Sequence, residues 1–162
     1  MAVHSSASGL ANKLRLDART MEAKMLAQTG RAIEASAETV ASGTPVDTGR
    51  ARYNYLPSSL APVDVGAVRP VPEFAHGTAA ENLASGKFAE RALVRAVVRR
   101  VRGVLSRRTK IDGTFYLTNN VKYVADLNRG GRSPQSARGR FVERAGDAAR
   151  YTFRGKGVNL GR

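Results

Sequence analysis

The chain has 162 residues, of which 42% are apolar, with five Phe, five Tyr, no Trp and no Cys. A chain of this length suits one domain, residues 1–162, with a modest core rich in Val, Leu and Ala and with extended arms. The lack of cysteine excludes disulfides, thiolate metal sites and thiol nucleophiles. The net charge of +14 is uneven: residues 1–80 carry eight Lys or Arg against seven Asp or Glu, whereas residues 81–162 carry nineteen against six. Such an excess favours polyanions, either nucleic acid or an acidic protein surface.

From Leu10 onward, Leu14, Ala18, Met21, Met25, Ile33, Ala37 and Val40 recur mostly at spacings of three or four, which predicts an amphipathic helix over about 8–42. Ser6 and Ser8 are its candidate caps, and Pro45 sets its end near Ser42 and Gly43. Such a rod, roughly 45 Å long, exceeds what one small core can cover, so part of it is expected to pack on a neighbouring copy.

The segment Pro45, Val46, Asp47, Thr48, Gly49 and Arg50 has turn chemistry: Pro45 fixes a backbone angle, Asp47 and Thr48 can accept hydrogen bonds from nearby amides, and Gly49 permits a positive φ. A strand is expected from Ala51 to Leu56. Residues 57–76 hold prolines 57, 62, 70 and 72 and lack a sustained period, so they read as a loop or arm.

Thr78-Ala-Ala-Glu81 matches a capping box, which predicts a second helix to about Arg107. Leu93, Val97, Val101 and Leu105 form its apolar row, and Arg91, Arg95, Arg99 and Arg102 a basic row. Between Lys87 and Lys110, nine basic residues face the single acid Glu90. Such a face contacts DNA phosphate, pairs with acidic residues of a neighbour or is simply solvated, and composition does not choose.

Thr114 to Thr118 and Val121 to Asp126 alternate like strands, and Asn119 and Asn120 suit the tight turn of a β-hairpin, with Tyr123 on its second strand. Asn128 to Gly139 reads as a loop. A short helix follows from Arg140 to about Arg150, with Phe141, Ala145 and Ala148 inward, and residues 151–162 read as a strand or arm. The expected class is α+β: a small mixed or antiparallel sheet, a long N-terminal helix, a second basic helix, a β-hairpin and a short C-terminal helix.

Enzymatic chemistry finds little support. His4 and His76 are far apart, no Gly-x-Ser-x-Gly elbow or phosphate-cradling Gly-x-x-x-x-Gly-Lys run occurs, and the carboxylates Asp47, Asp112, Asp126 and Glu143 have no spacing that singles them out as Mg²⁺ ligands. No catalytic residue, cofactor or metal site is expected. No stretch approaches the ~18 apolar residues that span a bilayer, and Met1 to Ala11 lacks the pattern of a signal peptide, so no membrane partner is expected either.

The segment Pro45 to Arg50, after a long helix and before Ala51-Arg52-Tyr53, resembles the Pro-Val-Asp-Thr-Gly-Arg signature of tailed-bacteriophage neck and tail-completion proteins, the minor tail protein Z type. Phe115-Tyr-Leu-Thr-Asn-Asn-Val-Lys-Tyr123 is similar to that family's strand, Asn-Asn turn and Tyr, and a Gly-rich loop with Gln and a Phe-Val helix start follow at Gly130 to Val142. Asp126, Gly130 and Ser133-Pro-Gln-Ser136 depart from the family's pattern. The resemblance implies a virion structural protein, present in the host cytoplasm during assembly. It would join head to tail as a homo-oligomeric ring, a hexamer by the family's pattern, against portal, connector or stopper proteins and tail tube proteins. Arg91, Arg95, Arg99 and Arg102 are then the candidates for contact with packaged double-stranded DNA or an acidic partner. The rival reading, carried by charge alone, is a non-specific double-stranded-DNA-binding protein.

Overall fold

The computed structural model describes residues 3–45, 50–63, 86–110, 113–130 and 139–155, with the backbone alone for 3–7 and 86–90. The elements run α1 (Val3–Gly43), α2 (Arg50–Tyr53), β1 (Tyr55–Ser58), α3 (Gly86–Leu105), β2 (Tyr116–Asn119), α4 (Val124–Arg129) and α5 (Phe141–Phe153). The class is α+β, with a long N-terminal helix, a two-stranded antiparallel sheet and a short C-terminal helix.

Helix α1 begins at Val3, so Ser6 and Ser8 lie within it and do not cap it. No Pro or Gly precedes Gly9 to halt it, and helical geometry propagates through neutral residues. Its C-terminal third carries the core. Ala37, Val40 and Ala41 pack with Tyr55, Val97, Val101, Phe141 and Ala145, while Ile33, Val94, Leu105, Phe115, Leu117, Val124 and Leu127 close over them.

Helices α5 and α3 both lie along this part of α1. Small residues let α5 approach closely: a Cβ added at Gly43 would stand 2.8 Å from the Cβ of Phe141. At the other end of α5, the Gln28 side-chain amide donates to the carbonyls of Thr152 (2.5 Å) and Phe153 (3.0 Å). Those carbonyls belong to the last turn of a helix and have no partner within it. Phe141, Ala145 and Ala148 are buried, as their spacing predicts.

The strand expected at Ala51 to Leu56 divides into α2 and β1. Asn54 makes the break, since its side chain donates to the carbonyl of Arg50 (2.8 Å) and its amide to that of Ala51 (3.4 Å). These bonds close a helical turn before the chain extends.

The expected β-hairpin does not form. β2 pairs with β1, in the register Tyr55 to Asn119, Leu56 to Thr118, Pro57 to Leu117 and Ser58 to Tyr116. Past Asn120 the chain turns into α4, with the Val124 amide donating to the Val121 carbonyl at 3.0 Å. Val124 and Leu127, three apart, both reach the core, so the apolar residues there serve a helical period and not an alternating one.

Four further boundaries shift. The second helix ends at Leu105, and its expected start at Thr78 lies outside the described residues. Asn128 and Arg129 belong to α4, and residues 151–153, expected in a strand or arm, complete α5. Pro57 and Ser58, expected in a loop, form the end of β1. The remainder of the loop from 64 to 76, and residues 156–162, lie outside the described residues.

Candidate functional site

Two surfaces gather the residues to which the sequence gives functional weight. The first is the outer side of α3. Leu93, Val97 and Val101 turn inward and are buried. That packing fixes the helix about its axis and leaves Arg91, Arg95 and Arg99 exposed on the opposite side. Four residues of helix rise about 6 Å, so the three guanidinium groups form a ladder of that repeat. None has an ion-pair partner among the described residues.

Other members of the basic run serve different ends. Arg102 continues the row but pairs with Glu34 of α1, Nε to Oε2, at 2.9 Å. Arg100 turns into the fold: its guanidinium lies 4.0 Å from the centroid of the Tyr53 ring and donates to the Tyr53 carbonyl at 2.6 Å. Such a cation on a ring face, partly desolvated, is a structural contact. Arg107, Arg108 and Lys110 instead line a shallow concavity with Ser59, Leu60, Thr109 and Gly113 beyond the end of α3. Arg108 there donates to the Thr114 carbonyl at 3.3 Å.

The second surface is the free part of α1. Every residue from 8 to 25 is exposed, and Leu10, Leu14, Leu16, Met21 and Met25 are each at least half exposed. A single exposed Leu means nothing, but a row of large apolar side chains along one free helix is a surface suited to a partner.

Around the turn signature, the described residues show how the end of α1 is fastened. Thr44 is fully buried, and its hydroxyl donates to the Val40 carbonyl at 2.6 Å and meets the Tyr55 hydroxyl at 2.9 Å. Arg52, 3% exposed, donates from Nε and Nη2 to the Thr44 carbonyl (3.0 and 2.6 Å) and from Nη2 to the Ser42 carbonyl (3.1 Å). A buried guanidinium thus completes the negative end of a long helix dipole. Burial pushes the Tyr55 hydroxyl up to about 12, against smaller opposing effects from Thr44, Asn119 and Arg52. Pro45 and Arg50 flank this network, while Val46, Asp47, Thr48 and Gly49 lie outside the described residues.

Asn119 and Asn120 act as fasteners. The Asn119 amide donates to the Ala51 carbonyl at 2.7 Å, its oxygen accepts from the Val121 amide at 3.1 Å, and Asn120 donates to the Val63 carbonyl at 3.2 Å. Tyr123 is 41% exposed and stands at the start of α4. The sequence reading missed Arg52, Asn54 and Asn128 as structural residues. Asn128 caps α5 from outside: its carbonyl and side-chain oxygens accept from the amides of Arg140 (2.6 Å) and Val142 (3.0 Å). Its amide donates to Glu143 at 3.1 Å. A hydrogen bond from its own backbone amide, and then that from Asn128, hold the Glu143 carboxyl below the usual range.

Of the four candidate Mg²⁺ carboxylates, Asp126 pairs with Arg129 at 3.0 Å and Glu143 is held by Asn128. Asp47 and Asp112 lie outside the described residues, as does His76. Among the described residues no three His, Cys, Asp or Glu side chains gather as a metal site, and no helix is long and apolar enough to cross a membrane.

No family model, curated protein or solved structure matches this chain.

Proposed function

We propose that the chain is a structural subunit of the neck or tail-completion ring of a tailed bacteriophage, joining the DNA-filled head to the tail. The observation that carries the reading is the projecting half of α1, whose large apolar side chains are left exposed by the fold. A helix of this kind is a component awaiting a neighbour. The turn signature from Pro45 to Arg50 and the segment Phe115 to Tyr123 add the resemblance to neck proteins. In this role the network of Thr44, Arg52 and Tyr55 holds α1 at a fixed angle to the body. Arg91, Arg95 and Arg99 face packaged DNA or an acidic portal, stopper or tail-tube partner, with Arg102 restrained by Glu34. The setting is a ring of identical copies in the virion, taken as a hexamer, assembled in the host cytoplasm.

Electron cryomicroscopy of particles produced with and without the chain tests the role. Heads and tails that form but fail to join support it; complete particles without the chain overturn it. The exposed Arg ladder favours a second reading, a non-specific double-stranded-DNA binder. That reading predicts binding by the free chain that weakens steeply with salt.

A further inference from the structure

We infer that the exposed stripe of α1 is covered by the same stripe of a second copy, the two helices running antiparallel about a two-fold axis between Arg19 and Thr20. The inference deepens the assembly reading by naming the occupant of that surface, and it rests on that reading only for its biological setting.

Leu10, Leu14, Ala18, Met21 and Met25 follow spacings of four, four, three and four. With about 100° of turn per residue, all five fall within roughly 80° of one another, a narrow seam of the kind that pairs helices. The seam lies on residues 8–25, which the rest of the chain leaves exposed. Leu14 is 60% and Met21 63% exposed.

The charges beside the seam select the occupant and its direction. The same angular reckoning puts Lys13, Asp17 and Lys24 on one flank and Arg15 and Glu22 on the other. In an antiparallel pair each flank meets the same flank of the other copy, and along each row the opposed residue numbers have a constant sum. Asp17 and Lys24 on one flank, and Arg15 and Glu22 on the other, meet in a single register, which sets opposite charges together on both sides, twice over by symmetry. That register lays Leu14 beside Met25 of the second copy and Ala18 beside Met21 of the second copy, and it opposes no like charges. A parallel, in-register pair would instead set Asp17 towards Glu22 of the second copy, a repulsion. Arg15, Asp17, Glu22 and Lys24 have no ion-pair partner among the described residues, so all four remain available. A two-fold contact closes on itself and does not propagate around a ring. The pair is therefore the form of the chain before it joins the neck.

The test uses the full chain, whose freedom from cysteine allows single probes. Sedimentation should give twice 17.3 kDa for the unaltered chain. Met21→Cys, one of the two seam residues nearest the axis, should oxidise to a covalent dimer. Leu10→Cys should not, because its two copies would stand roughly 30 Å apart. Asp17→Lys with Glu22→Lys should shift the chain to monomer, and adding Arg15→Glu with Lys24→Glu should restore the dimer. All of these positions are exposed, and circular dichroism confirms that each variant folds. A monomer at every concentration, cross-linking at Leu10→Cys, or a dimer indifferent to the charge changes overturns the inference. None of these results bears on whether particles need the chain to join head and tail, so the two readings fail separately.

Discussion

The hydroxyl groups of Thr44 and Tyr55 meet at 2.9 Å in the buried corner where the long helix ends and the sheet begins. Thr44 also bonds the Val40 carbonyl, so the Tyr55 hydroxyl joins the sheet to a helix terminus that is already closed. Removing it by Tyr55→Phe leaves no orphaned donor on Thr44 and should cost about 1 kcal/mol, read from the urea unfolding midpoint at neutral pH.

The same hydroxyl gives the fold a dependence on alkaline pH. Its folded pKa of about 12 lies above the ordinary tyrosine value of 10.0, so the folded state holds the proton more tightly. The stabilisation is fully present below the unfolded pKa and is lost as pH rises from there through the folded value. Stability measured in urea should therefore fall between about pH 10 and about pH 12 more steeply for the natural chain than for Tyr55→Phe. Parallel curves would show that another group sets the alkaline limit.

Arg52 should be the most costly surface-free charge to remove. Its guanidinium is buried against the carbonyls of Ser42 and Thr44. Arg52→Ala should lose about 3 kcal/mol, and Arg52→Lys should recover only part of it, because an ammonium cannot span two carbonyls with a planar fork. Thermal unfolding followed by circular dichroism gives both values.

The contact of α1 with α5 is set by the absence of a side chain. Gly43→Ala would bring a methyl to 2.8 Å from the Phe141 Cβ and 3.2 Å from an Arg144 guanidinium nitrogen, and should destabilise the fold by about 1–3 kcal/mol. Phe141→Ala, at a fully buried position, should cost about 3–5 kcal/mol by leaving a cavity. Chemical denaturation of the two variants measures both, and a neutral Gly43→Ala would mean that α5 can slide along α1.

If the exposed row on α3 contacts duplex DNA, replacing Arg91, Arg95 and Arg99 together by Gln should lower the slope of log affinity against log salt by roughly 3, near 0.9 for each phosphate no longer neutralised. Fluorescence anisotropy over a salt series gives the slope. Arg102→Gln should change it less, since Glu34 already holds that side chain. An unchanged slope in the triple variant would assign the row to a protein partner or to solvent.

The sequence by itself determined the elements that depend on local periodicity. The three-four spacing of α1, the Leu93, Val97 and Val101 row of α3, and the inward Phe141, Ala145 and Ala148 of α5 all appear in the structure as spaced. A helix closes its hydrogen bonds within four residues, so local sequence suffices to define it. The strands did not yield to the same reasoning. β2 needs a partner, and the chain supplied one from Tyr55–Ser58, far back in sequence. Asn119 and Asn120, which read as a turn between neighbouring strands, were drawn instead to the carbonyls of Ala51 and Val63. The basic run was likewise legible as a row, but only packing decided which arginines stay in solvent. Burial of Val97 and Val101 turns Arg100 onto Tyr53, and the crossing of α3 with α1 gives Arg102 to Glu34. Contacts between distant segments depend on how helices cross, and that angle is fixed by side chains from both partners at once.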